Sequence, residues 1–278
     1  MYTEMTPNGY GISIEKGNVL YSGKSDFQEL EIFESRGLGR VFTLDGLMMT
    51  TERDEYFYHE LITHIPMITH KNPENVLVIG GGDGGTIREV LKHKSVKNVD
   101  LCEIDGLVID VCKKYLPTIA CKLDDPKVKI YVEDAIKFIK DKKNIYDVIL
   151  IDSTDPMGPG EGLFTEEFYN NVKASLRPGG IVVPQSESPY GQKESFEKVY
   201  KLLRRVFKNV APYCSPVITY PSGYWSWAFC SDDVEIPTFD TKLDENRASE
   251  IENTCKIYNS KLHKGVFAVP NFVKELSK

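Results

Sequence analysis

Residues 76–90 read VLVIGGGDGGTIREV: an apolar strand-like run, a glycine-rich turn, then a helical pattern. The turn Gly80-Gly81-Gly82-Asp83-Gly84-Gly85 satisfies G-x-G-x-x-G in the context that gives the motif meaning, after a strand and before a helix. Glycines there let the backbone approach a ligand closely. Glu103 ends the next strand about 20 residues on, where a carboxylate can accept both hydroxyls of a ribose. A turn serving only helix packing leaves this coincidence of strand, loop, helix and acid unexplained. The stretch predicts a nucleoside site on a Rossmann-like sheet.

Beyond Pro73 the chain keeps alternating strand-like and helix-like segments, from NVLVIG and TIREVLKH through NVDLCEID, VKIYVED and YDVILIDS to GIVVPQSES and ESFEKVYKLLRRVF. Such alternation predicts βαβ units and a doubly wound, parallel sheet covered on both faces, an α/β fold. VAPYCSPVITY and GYWSWAFCS, across the turn Pro221-Ser222-Gly223, read as a terminal hairpin like that of adenosylmethionine-dependent methyltransferases, by analogy. Before residue 50 the pattern differs. Short β-like pieces, Val19 to Tyr21, Phe27 to Glu34 and Arg40 to Leu44, predict a small antiparallel domain over 1–50. Thr51 and Asp54 look like a capping box opening a connecting helix over 51–66, ended or kinked by Pro66, with the catalytic domain over 67–278.

The 278 residues are 41% hydrophobic and 27% charged, ample for one large core with a small satellite. A net charge of -7 argues against a nucleic-acid or anionic-membrane surface and suits cationic partners. MYTEMTPNGY shows no leader pattern and no apolar run approaches membrane-spanning length, so a cytoplasmic protein is expected. None of the 6 cysteines forms a C-x-x-C pair or a zinc spacing, and reduced thiols are expected.

Acids recur at the predicted carboxyl edge of the sheet. Asp83 inside the glycine loop opposes a dinucleotide's pyrophosphate, and equally the carboxylate of adenosylmethionine, but welcomes a tail ending in ammonium. Capping the following helix is its competing role, as it is for Asp134, which could instead accept from an adenine amino group. VILIDSTDPMGPGEGLF places Asp152 and Asp155 at the end of an apolar strand. Unpaired burial of these acids is costly, so a cationic ligand or nearby donors must offset them. Magnesium is the rival, but no phosphate-binding Lys or Arg lies near these motifs.

Together, TERDEYFYHE, VLVIGGGDGG, LCEID, LIDSTDPMGPGEGLF and TYPSG resemble the spermidine synthase (polyamine aminopropyltransferase) family, from Gln28 to the C-terminus. The resemblance implies an N-terminal β domain, a Rossmann-like catalytic domain of methyltransferase type, and a homodimer or homotetramer. It implies transfer of the aminopropyl group of decarboxylated S-adenosylmethionine to putrescine, giving spermidine and methylthioadenosine, with that co-substrate loosely held and no metal. On matching positions, Gln28 and Glu103 would hold the ribose end, Asp134, Ala135 and Pro159 the adenine, and Asp83 the aminopropyl ammonium. Tyr58, His59, Asp155 and Tyr220 would form the amine channel, with Gln185 as a polar wall. Asp152 would accept the proton, assisted by Tyr58. His70, His93 and His263 match nothing in the family, and PNGYGISIEKG departs from its aromatic-rich opening.

A sulfonium activates its neighbouring carbon unaided, so the enzyme must chiefly deliver a neutral amine from a group whose pKa is about 10.4. The segment MGPGEG is read as a lid over both substrates. An amine N-methyltransferase using intact S-adenosylmethionine shares the fold and acidic pocket, although Asp83 opposes it. A silent polyamine- or nucleoside-binding module is the third reading.

Overall fold

The computed structural model describes residues 1–6, 8–155 and 158–278, apart from the side chains at 158, 159 and 161. The N-terminal part is a two-stranded ribbon, β1 (Tyr2–Met5) against β2 (Gly11–Ile14), followed by the four-stranded antiparallel sheet β3 (Val19–Lys24), β4 (Glu29–Ser35), β5 (Gly39–Leu44) and β6 (Leu47–Thr51). The ribbon and β6 were not foreseen. Tyr2 and Met48 pack with Phe33 and Val41, which ties the ribbon to the sheet.

Helix α1 (Tyr56–Thr69) departs from expectation at both ends. Thr51 Oγ1 does donate to Asp54 Oδ1 at 2.7 Å, but the second Asp54 oxygen accepts from Thr219 N at 3.0 Å and Thr219 Oγ1 at 2.6 Å. The pair ties the sheet exit to the TYPSG loop, and the helix starts after it. Pro66 neither ends nor breaks α1. Only the last turn follows it, and burial from Tyr58 to Ile68 offsets the one backbone bond its ring removes.

The C-terminal part runs β7 (Asn75–Gly80), α2 (Gly85–Val90), β8 (Asn98–Glu103), α3 (Gly106–Tyr115), β9 (Val128–Val132), α4 (Ala135–Ile139), β10 (Tyr146–Asp152), α5 (Glu166–Ser175), β11 (Leu176–Pro184), α6 (Lys193–Val206), β12 (Asn209–Pro216) and β13 (Tyr224–Ser231). A 3-10 turn spans Gly158–Leu163, and α7 (Glu245–Glu252), α8 (Ser260–Gly265) and α9 (Asn271–Leu276) close the chain. The seven-stranded order is β12-β13-β11-β10-β7-β8-β9, with β11, β10, β7, β8 and β9 parallel and β13 antiparallel to both of its neighbours, β11 and β12. This is the doubly wound sheet that the alternating pattern predicted, of the methyltransferase type that the terminal hairpin and the family resemblance implied.

Successive residues of β7 enter different cores: Val76 and Val78 pack with α1 and the N-terminal residues Leu30, Ile32 and Phe42, whereas Leu77 and Ile79 pack with Phe168, Tyr169 and Phe196. Both faces of the strand are covered, hence its unbroken apolar run. The chain leaves β7 toward β8, while β10 lies on the other side. Between them the strand order reverses, and Asp152 pairs in register with Gly80. Open α/β sheets bind ligands at such a crevice. No helix among the described residues is long and apolar enough to cross a membrane.

Candidate active site

A cavity of about 390 Å³ opens at that crevice, bounded by the carboxyl ends of β7, β8 and β10, by α1, and by Met48, Met49 and Thr50 of β6. Gly80, Gly81 and Gly84 sit at φ 74°, 67° and 86°, in the left-handed region that favours glycine. A Cβ on Gly81 would stand 2.7 Å from Asp152 Oδ2, so the loop lies directly against that carboxylate.

On the β8 side, Glu103 is buried and accepts from Gly82 N at 3.2 Å and Asp105 N at 2.9 Å. Burial outweighs these donors and pushes its carboxyl up to about 7. Gln28 reaches across from the N-terminal sheet: its Nε2 donates to Asp105 Oδ2 at 2.9 Å, an oxygen shared with Ser25 Oγ at 2.7 Å. Asp134 Oδ1 caps α4 through Ile136 N at 2.9 Å, so the helix-cap reading holds, yet Asp134 and Ala135 also line the cavity. The Pro159 side chain lies outside the described residues, as do Met157 and the Glu161 side chain of the expected lid. Gly160 and Leu163 of the 3-10 turn do line the cavity.

At the centre, Asp83 accepts from Gly85 N through Oδ1 at 2.8 Å, while its Oδ2 lies 3.4 Å from His59 Nε2. The other ring nitrogen of His59 is 2.6 Å from Glu55 Oε2. Burial works against charge on His59, but Asp83 and Glu55 outweigh it and raise its pKa well above the usual value. In turn, burial pushes Asp83 up, and His59 more than cancels this, holding its carboxyl below the usual range. Asp152 responds in the opposite sense: burial first, then the Asp83 charge, raise its pKa, with Thr86 Oγ1 donating to its Oδ2 at 2.7 Å. Two carboxylates in one site are thus driven apart in proton affinity. The Tyr58 phenol, buried and beside Asp152, is pushed well above its usual range and stays protonated. Its ring packs 5.4 Å from Trp227 and 6.2 Å from Tyr220, centroid to centroid. Tyr220 lines the cavity with its hydroxyl donating to Met49 O at 3.0 Å, leaving that oxygen free to accept.

At the far end, Asp155 Oδ2 accepts from Gln192 Nε2 at 3.0 Å. Glu187, 1% exposed and at φ 67°, accepts from Gln185 Nε2 at 3.0 Å. Burial, then the neighbouring Asp155, raises Glu187 well above the carboxylate range, so without a cation this pair retains a proton.

The crevice brings together Gln28, Tyr58, His59, Asp83, Glu103, Asp134, Ala135, Asp152, Asp155, Gln185 and Tyr220, and no Lys or Arg lines it among the described residues. Sequence reasoning missed Glu187, Gln192, Glu55, Thr86 and the ribbon residues Glu4, Met5 and Thr6. Only Glu55 carried a signal, its i,i+4 spacing to His59 along α1.

Against known proteins, residues 55–242 match the family model described as spermine/spermidine synthase domain, and residues 1–52 the spermidine synthase tetramerisation domain. The chain is 49% identical over 277 residues to the polyamine aminopropyltransferase of Alkaliphilus oremlandii (strain OhILAs), covering 99% of this chain and 96% of the relative. Its fold is similar to a spermidine synthase solved with the transition state analogue AdoDATO, at TM-score 0.95 and 43% identity over 99% of this chain and 94% of that one. The spermidine synthase from Thermotoga maritima gives 0.93 and 42%, over 99% and 93%.

Proposed function

The chain belongs to the spermidine synthase family and is a polyamine aminopropyltransferase; from that premise we propose that its acceptor is putrescine and its donor decarboxylated S-adenosylmethionine. The observation that carries this reading is a crevice in which Asp83, Asp152, Asp155 and Glu187 face no Lys or Arg among the described residues. Such a site favours a ligand with cations along its length. Glu103 and Gln28 take the ribose, Asp134, Ala135 and Pro159 the adenine, and Asp83 the aminopropyl ammonium. Asp155, Tyr220 and Gln185 guide the diamine, whose far ammonium displaces the proton held between Asp155 and Glu187, while the cationic His59, engaged by Glu55 and Asp83, acts on the channel only through Asp83.

In the reaction the acceptor nitrogen attacks the aminopropyl carbon bonded to sulfur. The C–S bond breaks, its electron pair returns to sulfur to give neutral methylthioadenosine, and the nitrogen's proton passes to Asp152. Tyr58, fixed in its protonated form, donates a hydrogen bond to orient the reacting groups. Sulfur is already a good leaving group, so a metal has no task here. Among the described residues, the grouping His64, Glu89 and Cys255 offers metal-type ligands, but Glu89 is already held by Arg88 at 2.9 Å and Lys92 at 2.5 Å. The match of residues 1–52 to a tetramerisation domain supports a homodimer or homotetramer built through the N-terminal sheet. Six unbridged cysteines fit a reducing cytoplasm.

Mass analysis of putrescine incubated with either cofactor tests the reading. Aminopropylated product from the decarboxylated cofactor alone is expected. Methylated putrescine, or preference for cadaverine, agmatine or spermidine in direct competition, would overturn it. Glu103 supplies a second test. Its pKa near 7 in the empty site must fall when ribose hydroxyls donate to it, so nucleoside binding releases a proton. Affinity for methylthioadenosine should weaken below pH 7, approaching about tenfold per unit. Calorimetry showing no such dependence, and no proton release near neutrality, would remove Glu103 from the ribose.

A further inference from the structure

His59 stands between two carboxylates, with Nδ1 2.6 Å from Glu55 Oε2 and Nε2 3.4 Å from Asp83 Oδ2. An ionised carboxylate only accepts, so Nδ1 donates to Glu55, while Nε2 stands at ion-pair distance from Asp83, and carboxylates on both sides favour the imidazolium form of the ring. Its geometry then depends on what fixes Glu55. That oxygen of Glu55 also accepts from Arg88 NH2 at 2.6 Å. The rest of the guanidinium is spent elsewhere: Nε donates to Glu89 Oε1 at 2.9 Å and NH1 to Thr118 O at 3.3 Å. Glu89 is itself pinned by His64 Nε2 at 2.9 Å and Lys92 at 2.5 Å. Arg88 is therefore anchored in α2 and against the segment after α3 while gripping the entry of α1. Packing reinforces the chain of contacts, because a Cβ on Gly85 would lie 2.2 Å from His59 Cε1.

We propose that Arg88, which does not line the cavity itself and reaches its lining through the hydrogen bond to Glu55, is a positioning residue for Asp83. Its fork fixes Glu55, Glu55 fixes the His59 ring, and the ring holds one Asp83 oxygen while Gly85 N holds the other. The carboxylate meant for the cofactor's ammonium is thereby kept ionised and in a single orientation. Lys cannot substitute, since one ammonium cannot bridge Glu55, Glu89 and a carbonyl in the plane that Arg88 provides. This rests on the assignment of Asp83 to the aminopropyl ammonium.

The test is calorimetric titration of the native enzyme, Arg88→Gln, Arg88→Lys and Asp83→Asn with two ligands. Decarboxylated S-adenosylmethionine and methylthioadenosine share the nucleoside, but only the first carries the ammonium. Arg88→Gln should lose roughly 10- to 100-fold in affinity for the first, the scale of a misplaced contact, and less than about twofold for the second. Arg88→Lys should restore little. Equal loss for both ligands would make Arg88 merely structural, and unchanged affinities, or full restoration by Lys, would equally overturn the proposal. If Asp83→Asn costs nothing toward the decarboxylated cofactor, the underlying assignment fails. If it does cost affinity while Arg88→Gln does not, the assignment stands and the role of Arg88 alone falls.

Discussion

Replacing Asp152 by asparagine should cut turnover by roughly 10²–10⁴ at neutral pH, the contribution of a positioned general base, while cofactor affinity changes far less. Putrescine arrives protonated, its amines resembling the Lys group with a pKa of about 10.4, and a carboxylate of ordinary basicity is a poor acceptor for that proton. The site corrects the mismatch from both directions. Burial and the adjacent Asp83 charge raise Asp152, and formation of the new carbon–nitrogen bond makes the nitrogen acidic as attack proceeds. Tyr58 cannot take over, because burial and Asp152 hold its phenol well above the usual range. Rates should rise with pH above neutrality in both proteins as neutral amine becomes available, and more steeply in the variant, where solution must supply all the deprotonation.

Stability provides the control. A folded-state pKa raised by burial means that the native protein binds this proton more tightly than the unfolded chain, so ionising Asp152 subtracts from stability as pH rises. Above neutral pH the Asn variant should melt no lower than the native protein, and lost turnover then reports chemistry rather than unfolding. An Asn variant with near-native turnover at neutral pH would sink the assignment and leave Asp155 as the base to test.

The parts of this site legible in the sequence are those whose chemistry is local. Gly80 to Gly85 announce themselves because positive φ and close approach demand glycine, and Asp152 follows because the apolar strand before it fixes its place at the sheet edge. The parts that escaped are made by contacts between distant segments. Arg88 reads as an ordinary helix residue until α1 brings Glu55 to it, 33 positions away. Glu187 sits in an unremarkable QSES stretch, and nothing there signals a buried carboxyl at φ 67°. Thr51 and Asp54 carried a capping pattern, but Thr219, 165 positions from Asp54, claimed the second oxygen. The ribbon from Tyr2 to Ile14 has too little apolar periodicity to be read as strands. Its pairing brings Glu4, Met5 and Thr6 to the cavity.

The native enzyme should bind decarboxylated S-adenosylmethionine more than tenfold tighter than S-adenosylmethionine, and Asp83→Asn should narrow that gap. The two ligands differ only by a carboxylate at the carbon bearing the ammonium. Asp83 is ionised, its charge secured by His59, and its side chain is only 13% exposed, so water screens it poorly. Bringing a second carboxylate beside it, in a crevice that already holds Asp152, costs repulsion, whereas the decarboxylated tail presents the ammonium alone. Loss of a charge-assisted contact together with that repulsion is worth about 2 kcal/mol or more in a partly buried site. The His59 imidazolium sets the limit, because it neutralises part of the Asp83 field and keeps the preference finite. Asn keeps the size and one hydrogen-bond acceptor but removes the charge, so affinity for the decarboxylated cofactor should fall while that for S-adenosylmethionine holds or improves. Calorimetry with both cofactors on both proteins decides it. Equal native affinities, or an Asn variant that keeps the full preference, would transfer the discrimination to another group in the crevice and end this reading of Asp83.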